Sequence, residues 1–314
     1  MGDFRNEFSW SKSRDGVFRE CRRKYYFNHY GFWGGWDAGA EERVKRIYYL
    51  KKLSGKEMWL GSLVHEVIEF VLKKFRVGEV ISLGHAVAIF RARFEDGFLQ
   101  SSLKEYTGYM SRAHKFFEDE YGIGISEEDK VGLLEKGELC LRNFFNSDVF
   151  MEIRRTPVED WITLEDFLSF DFEGTKIFLS IDFAMKKDGR ILLYDWKTGG
   201  ERVADVDLQL SLYALYIAER FGVSAEEIEA RVFYVGLDKV DVFGVGDGRL
   251  EEMKGYIRKS VFEMKGLLDD VSGNVASEGK FVKWFGDEKK TEDFVGGSCG
   301  RCVFRKVCLS NWGN

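Results

Sequence analysis

Proline is almost missing: the 314 residues contain one, Pro157, which excludes a proline-rich linker, and 16% aromatic content argues against an extended disordered tail. No apolar run approaches the roughly 20 residues that a membrane-spanning helix needs. The polar start Met1-Gly2-Asp3-Phe4-Arg5-Asn6 lacks the apolar stretch of a secretory signal, and Asn6 stands where a myristoylation signal wants Ser or Thr. The expected location is therefore the cytoplasm, with no membrane partner. An excess of positive charge is also missing. The formal net charge is -6, so contact with nucleic acid has to come from a local patch. Cysteines number five, and in an intracellular chain they do not suggest a disulfide framework.

What is present is 45% hydrophobic and 32% charged residues, enough apolar material for one large unit. An aromatic, basic helical segment comes first, with Ser11 or Ser13 as its N-cap, followed by a Gly/Trp loop from Gly31 to Gly39. Leu60, Val64, Val67, Ile68, Val71, Leu72 and Phe75 recur at helical spacing and predict an amphipathic helix over 60–76 that carries His65. Residues 86–150 read as helical, with Ser126 capping a helix over Val131 to Phe145 and Cys140 a buried thiol within it. After Pro157 the period changes to two. Strands are predicted from Trp161 to Phe167, Lys176 to Met185 and Arg190 to Lys197, then a helix over 205–221, a strand over 229–237 and a helix over 249–268. The expected fold is α/β, a mixed sheet flanked by helices. One unit over 1–314 divides into an N-terminal helical part (1–76), a helical insertion (77–155), an α/β core (156–268) and a C-terminal cysteine segment (269–314).

The most informative segment runs from Phe178 to Gly199. Asp188-Gly189 suits a two-residue hairpin turn, which sets Lys187 against Arg190 and, stepping back along the ladder, Asp182 against Asp195. Their Cβ atoms would then be about 5 Å apart, and like charges so placed destabilise a sheet unless something compensates. Lys197 falls on the same face, opposite Ser180, while Ile181, Phe183, Met185, Leu192, Tyr194 and Trp196 point the other way. The apolar face reads as core and the acidic face as a site. A divalent cation between the carboxylates, Mg2+ or Mn2+ by its oxygen donors, would relieve the repulsion and polarise a phosphoryl oxygen beside the Lys197 ammonium. An exposed hairpin whose charges only aid solubility is the bland alternative.

The pattern Asp182…Asp195-x-Lys197 resembles the signature of the PD-(D/E)XK nuclease superfamily, and three further features resemble its RecB-type branch. Gly61-Ser62-Leu63-Val64-His65 looks like that branch's helical motif, in which the His is a metal ligand. Glu69 stands where a zincin would have its second His, so that reading is excluded. Gln209-Leu210-Ser211-Leu212-Tyr213 looks like the branch's Gln-x-x-x-Tyr motif, with both polar groups on one helical face. Cys21 ahead of these motifs and Cys299-x2-Cys302-x5-Cys308 behind them resemble the iron-sulfur nucleases, among them the CRISPR-associated adaptation exonuclease and the AddB nuclease domain.

The resemblance implies a restriction-endonuclease-like core and a 4Fe-4S cluster held by Cys21, Cys299, Cys302 and Cys308, which would join the two ends of the chain. Zinc on the same four thiolates is the alternative. It further implies Mg2+ or Mn2+ on His65, Asp182 and Asp195, with Lys197 activating water and Gln209 and Tyr213 positioning the strand or the lysine. Glu165 is an auxiliary acidic position. The implied activity is a metal-dependent DNA nuclease, an exonuclease on single-stranded DNA or DNA ends, serving CRISPR adaptation, recombination or repair. DNA would lie along Arg19, Arg22, Arg23 and Lys24, with Trp10, Tyr25, Tyr26, Trp33 and Trp36 available for stacking, and residues 77–155 are where a protein partner would bind. A catalytically silent DNA-binding or scaffold subunit, or a zinc-stabilised regulatory domain, are the competing readings.

Overall fold

A computed structural model describes residues 5–102, 114–200, 203–283 and 297–309. Residues 103–113 of the expected helical insertion, and 284–296 and 310–314 of the cysteine segment, lie outside the described residues.

The chain opens with a two-residue strand β1 (Ser9–Trp10) and helix α1 (Lys12–Glu20), where Ser11 accepts from the Arg14 N–H at 3.2 Å as N-cap. Cys21 breaks the helix by adopting extended geometry (φ -162°), ending α1 and capping α2 (Arg22–Tyr26). A π turn over Phe27–Gly31 and helix α3 (Glu42–Leu50), the latter beyond the elements predicted from spacing, complete this part. Helices α4 (Lys56–Arg76), α5 (Leu83–Ser102), α6 (Phe117–Glu120), α7 (Glu127–Asn146) and α8 (Asp148–Arg155) follow. Ser126 caps α7 as the sequence predicts, and Cys140 is fully buried in it.

Strands β2 (Trp161–Phe172), β3 (Thr175–Lys187) and β4 (Arg190–Lys197) form a meander. The Asp188-Gly189 turn has both φ angles positive (49° and 77°), and Lys187 pairs with Arg190 as predicted. Glu173-Gly174 makes a second turn of the same kind, φ 50° and 72°, which extends the β2–β3 hairpin beyond its predicted ends. Helix α9 (Val203–Phe221), strands β5 (Ile228–Tyr234) and β6 (Lys239–Gly244) and helix α10 (Asp247–Lys265) come next. Short helices α11 (Gly297–Gly300) and α12 (Arg305–Leu309) close the described chain. None of the described helices is long and apolar enough to cross a membrane.

The result is an α/β fold, a mixed six-stranded sheet in the order β1-β3-β4-β5-β6 with β2 on β3. Because β2 follows β3 along nearly its whole length, β1 and β4 share the other edge of β3. β1 pairs parallel at Lys176 and Ile177, and β4 pairs antiparallel from Phe183 to Lys187. Between those two ladders the edge of β3 is open, and that gap contains Asp182.

Helices cover both faces of the sheet. On one side α1, α9 and α10 pack through Phe18, Leu210, Leu215, Met253 and Ile257 onto Ile191, Leu193 and Val232. On the other, α4, α5, α7 and α8 pack through Val64, Ile68, Phe90, Phe144 and Ile153 onto Phe183, Leu192, Tyr194 and Trp196. Most of the described part of 77–155 thus shares one buried cluster with α4 and the sheet. The expectation of one apolar and one acidic face is corrected accordingly: both faces are core, and the acidic groups stand at the open edge of β3, on β2 beside it and at the end of β4. Ile181 also departs from the predicted alternation. It packs with Ile177 and Leu179 in the α9 layer, whereas Phe183 and Met185 enter the α4 layer, so β3 changes its buried side at Asp182.

A third cluster joins the two ends of the chain. Phe27, Phe32, Ile47 and Leu50 bury Phe304 and Val307, and the Tyr121 hydroxyl donates to the Val303 carbonyl at 2.6 Å.

Candidate active site

The site forms where the two helical layers meet at the C-terminal end of β4. Asp195 and Lys197 are the last inward positions of β4, Asp182 lies in the open edge of β3, and Glu165 comes from β2. Glu165 has φ 52°, a left-handed conformation that a residue with a side chain rarely adopts. His65 arrives from α4 in one layer and Gln209 and Tyr213 from α9 in the other. Helix α4 comes close because Gly61 has no side chain: a Cβ there would lie 3.0 Å from Thr198 Oγ1, in the loop after β4.

The direct opposition of Asp182 and Asp195 expected from the hairpin register does not form. The β3–β4 ladder ends at Phe183 and Tyr194, and the Asp182 carboxylate instead accepts the Trp196 N–H at 2.6 Å. Ser180 pairs with Phe167 on the β2 side and does not face Lys197 across the ladder. The strands splay because a buried carboxylate gains more from a backbone donor than from a second carboxylate.

His65 Nδ1 lies 3.4 Å from Glu165 Oε1 and 3.6 Å from Asp182 Oδ1. One donor atom from each of these three residues falls within 4.8 Å of the others, the spacing of ligands around a common cation. Glu165, an auxiliary acidic position by the resemblance, completes this group from the strand that precedes the hairpin. Asp195 sits beside the group, 1% exposed, with Lys197 Nζ 2.6 Å from its Oδ2. That pair is close but not aligned as a hydrogen bond, and Asp195 Oδ2 and Glu165 Oε1 are both buried oxygens without a hydrogen-bond donor. Lys197 donates to Gln209 Oε1 at 3.0 Å, and Gln209 Nε2 donates to the Tyr213 hydroxyl at 2.5 Å. All five predicted catalytic residues and His65 are therefore brought together.

The electrostatics match buried acids short of positive charge. Burial, then the neighbouring Asp182 carboxylate, pushes Asp195 up to about 6 against the opposing pull of Lys197 and His65. Burial likewise pushes Glu165 up to about 7, with His65 opposing and Asp182 reinforcing. Burial alone would lower His65, but the Asp182 and Glu165 carboxylates overcome it and hold it well above its ordinary value. Tyr213 is raised by burial and by Asp195 and Asp182, so its hydroxyl stays protonated. A cavity of about 670 Å3 opens onto this centre, lined by His65, Glu165, Lys197 and Gln209 and, toward solvent, by Lys12 and Glu66.

The cysteines assemble elsewhere. Cys21, Cys299, Cys302 and Cys308 line one small cavity of about 20 Å3 with Phe27 and Phe304, and Lys24, Lys283 and Arg305 stand around it. None of the five cysteines is in a disulfide. Burial pushes the Cys302 thiol up to about 12 and Cys308 to about 11, and raises Cys299. Cys140 is apart from them, its thiol pushed by burial to about 11.

The basic residues divide. Arg22 is exposed, Lys24 pairs with Glu20 at 2.7 Å, and Arg19 pairs with Asp15 and Glu263. Arg23 departs from its expected surface role: it is 9% exposed and donates to the Phe281 carbonyl at 2.7 Å and to Glu278 at 2.6 Å, fastening the C-terminal segment. Two expected stacking residues are core as well, since Trp10 is fully buried with its indole N–H on Ser260 at 2.8 Å, and Tyr25 is 1% exposed.

No curated protein matches the chain. The mixed sheet with helices on both faces agrees with a restriction-endonuclease-like fold. A family model of the PD-(D/E)XK nuclease superfamily matches residues 9–309, nearly the whole sequence, and the chain belongs to that superfamily.

Proposed function

We propose that the protein is a divalent-metal-dependent DNA nuclease of the RecB type, an exonuclease on single-stranded DNA or DNA ends that works in CRISPR adaptation, recombination or repair. Members of the superfamily are generally nucleases that use divalent metals. The observation that carries the reading is the close His65–Glu165–Asp182 donor group beside buried Asp195, in which Glu165 Oε1 and Asp195 Oδ2 lack an aligned hydrogen bond although His65 and Lys197 stand near them. Buried carboxylates without donors are costly unless a cation satisfies them.

His65, Glu165, Asp182 and Asp195 would hold Mg2+ or Mn2+. The metal would supply Lewis-acid polarisation of the scissile phosphate and a more acidic water. Lys197, fixed between Asp195 and the Gln209 carbonyl oxygen, orients the attacking water and stabilises the negative charge that gathers on the phosphoryl oxygens. Tyr213 fixes Gln209, so the two act as positioning residues for the lysine.

The four-cysteine cavity fits a 4Fe-4S cluster by donor chemistry and number, and the three cations around it complement the negative charge of a thiolate-ligated cluster. Cys21, Cys299, Cys302 and Cys308 would hold it, adding a covalent link to the aromatic cluster that already joins the two ends. Cys299→Ser is expected to remove the brown absorbance near 400 nm and lower the melting temperature, while Cys140→Ser keeps the iron. A colourless wild type that contains zinc would replace the cluster by a zinc site.

The direct test is cleavage of an end-labelled single-stranded oligonucleotide with Mg2+, Mn2+ or EDTA. Wild type is expected to degrade it only with metal, and Asp195→Ala and Lys197→Ala to lose about 10²–10³-fold or more in rate while keeping the fold. DNA binding without cleavage by wild type would favour the silent scaffold reading.

A further inference from the structure

Beside the catalytic cavity runs a groove of about 1160 Å3 that shares Lys12, Met58 and Gln209 with it, so the two are continuous. The N-terminal helices bring Lys12, Arg14, Arg19 and Lys24 to its lining, together with the carboxylates of Asp15 and Glu20. Asp15 is 2% exposed and accepts from Tyr256, Ser260 and Arg19, so of these cations Arg19 is already paired. Arg14 donates to the Ser9 carbonyl at 3.1 Å, and among the described residues no carboxylate pairs with it.

The lining also contains an aromatic pair. Phe167 on β2 and Phe178 on β3 stack with ring centroids 4.9 Å apart and planes 17° from parallel. Phe178 is half-buried, whereas Phe167 is 75% exposed, so a flat apolar ring is open to the groove. Phe167 is two residues from Glu165, about 7 Å along the strand, and pairs across the ladder with Ser180, itself two residues from Asp182. The platform is thus built into the strands that carry the acids.

An exposed ring in the same groove as several cations matches an unpaired strand, whose phosphates follow the cations while its bases, with free faces, stack on the ring. In a duplex those faces are already covered by neighbouring base pairs. We propose that Phe167, backed by Phe178, is the base-stacking platform that selects unpaired DNA, with Lys12, Arg14 and Lys24 carrying the phosphates; this rests on the nuclease reading above.

The test is fluorescence anisotropy of the full-length protein in EDTA with a labelled single-stranded oligonucleotide, the same strand containing abasic positions, and a blunt duplex. Phe167→Ala is expected to weaken single-strand binding about tenfold, Phe167→Trp to preserve it, and neither to change duplex binding. Wild type and Phe167→Ala are expected to bind the abasic strand equally. The slope of log affinity against log salt stays unchanged in Phe167→Ala but falls by about one in Arg14→Gln, which separates stacking from phosphate contact. Equal binding of the intact strand by wild type and Phe167→Ala, or equal losses on intact and abasic strands, would overturn the platform. If wild type cleaves DNA in either case, the nuclease reading stands without it. A wild type that neither binds nor cleaves DNA would overturn both.

Discussion

Glu152 on α8 and Glu165 on β2 are both half-buried carboxylates against the same sheet, yet their surroundings are opposite. Glu152 accepts from Lys187 Nζ at 2.5 Å, from the Tyr194 hydroxyl at 2.5 Å and from Arg231 at 2.7 Å, which lashes α8 across β3, β4 and β5. Burial would raise it, but the hydrogen bonds from Lys187 and Tyr194 and the Arg231 charge outweigh burial and hold it below the usual carboxylate range. Glu165 has a single histidine for two neighbouring acids and is pushed up to about 7. The first cluster is complete in itself and serves the fold. The second has fewer positive groups than carboxylates, the imbalance that the proposed cation would offset.

The largest expected difference between the two clusters is their response to metal. Mn2+ at 100 times its dissociation constant is expected to stabilise wild type by about 2.7 kcal/mol. Asp182→Asn should abolish that gain in a thermal-shift titration, and Glu152→Gln should retain it. A full Mn2+ response in Asp182→Asn would dissolve the contrast.

The next difference is one of sign. In EDTA at neutral pH, Glu152→Gln is expected to lose roughly 1–3 kcal/mol, because it leaves Lys187 and Arg231 without their acceptor. Glu165→Gln should be neutral or stabilising, because it removes a charge the site cannot accommodate. Denaturant midpoints of the two variants measure this directly.

The last difference is the dependence on pH in EDTA. Between pH 7 and 5 Glu165 and Asp195, raised to about 7 and about 6, hold protons that the unfolded chain has released, whereas raised His65 does so only above its ordinary value. Their contribution therefore increases stability as pH falls from 7 toward 5, by about 1.4 kcal/mol per pH unit for each extra proton. Glu152 acts oppositely: its stabilisation is present above the ordinary carboxylate value and is lost as pH falls through its depressed one. Glu165→Gln should flatten the slope between pH 5 and 7, and an unaltered slope would show that Glu165 is not among the perturbed acids.

Much of this protein is legible in its residues. The Asp188-Gly189 turn fixes the register of β3 on β4, since two consecutive residues with positive φ leave one way to close the hairpin. The spacing of Gln209 and Tyr213, and of Gly61 and His65, follows from helical period alone, and each group reached the centre where its motif implied. The four cysteines likewise converge on one cavity. Local pattern determines such features because turn geometry and helical period depend only on neighbours in the chain.

Other features depend on how distant segments pack. Nothing in the alternation of β3 announces that its buried side changes at Asp182, or that β1 and β4 share one edge and leave a gap between them. The left-handed Glu165, the inward turn of Arg23 onto Glu278 and the burial of Trp10 and Tyr25 arise the same way. By itself the sequence determined most of the elements, though not β1, α3 or β6, together with the hairpin and the identities of the charged groups, through interactions a few residues long. Only the tertiary structure decided which of those charges were satisfied, because a carboxylate's partners come from elements far apart in the chain and meet only when both layers close on the sheet.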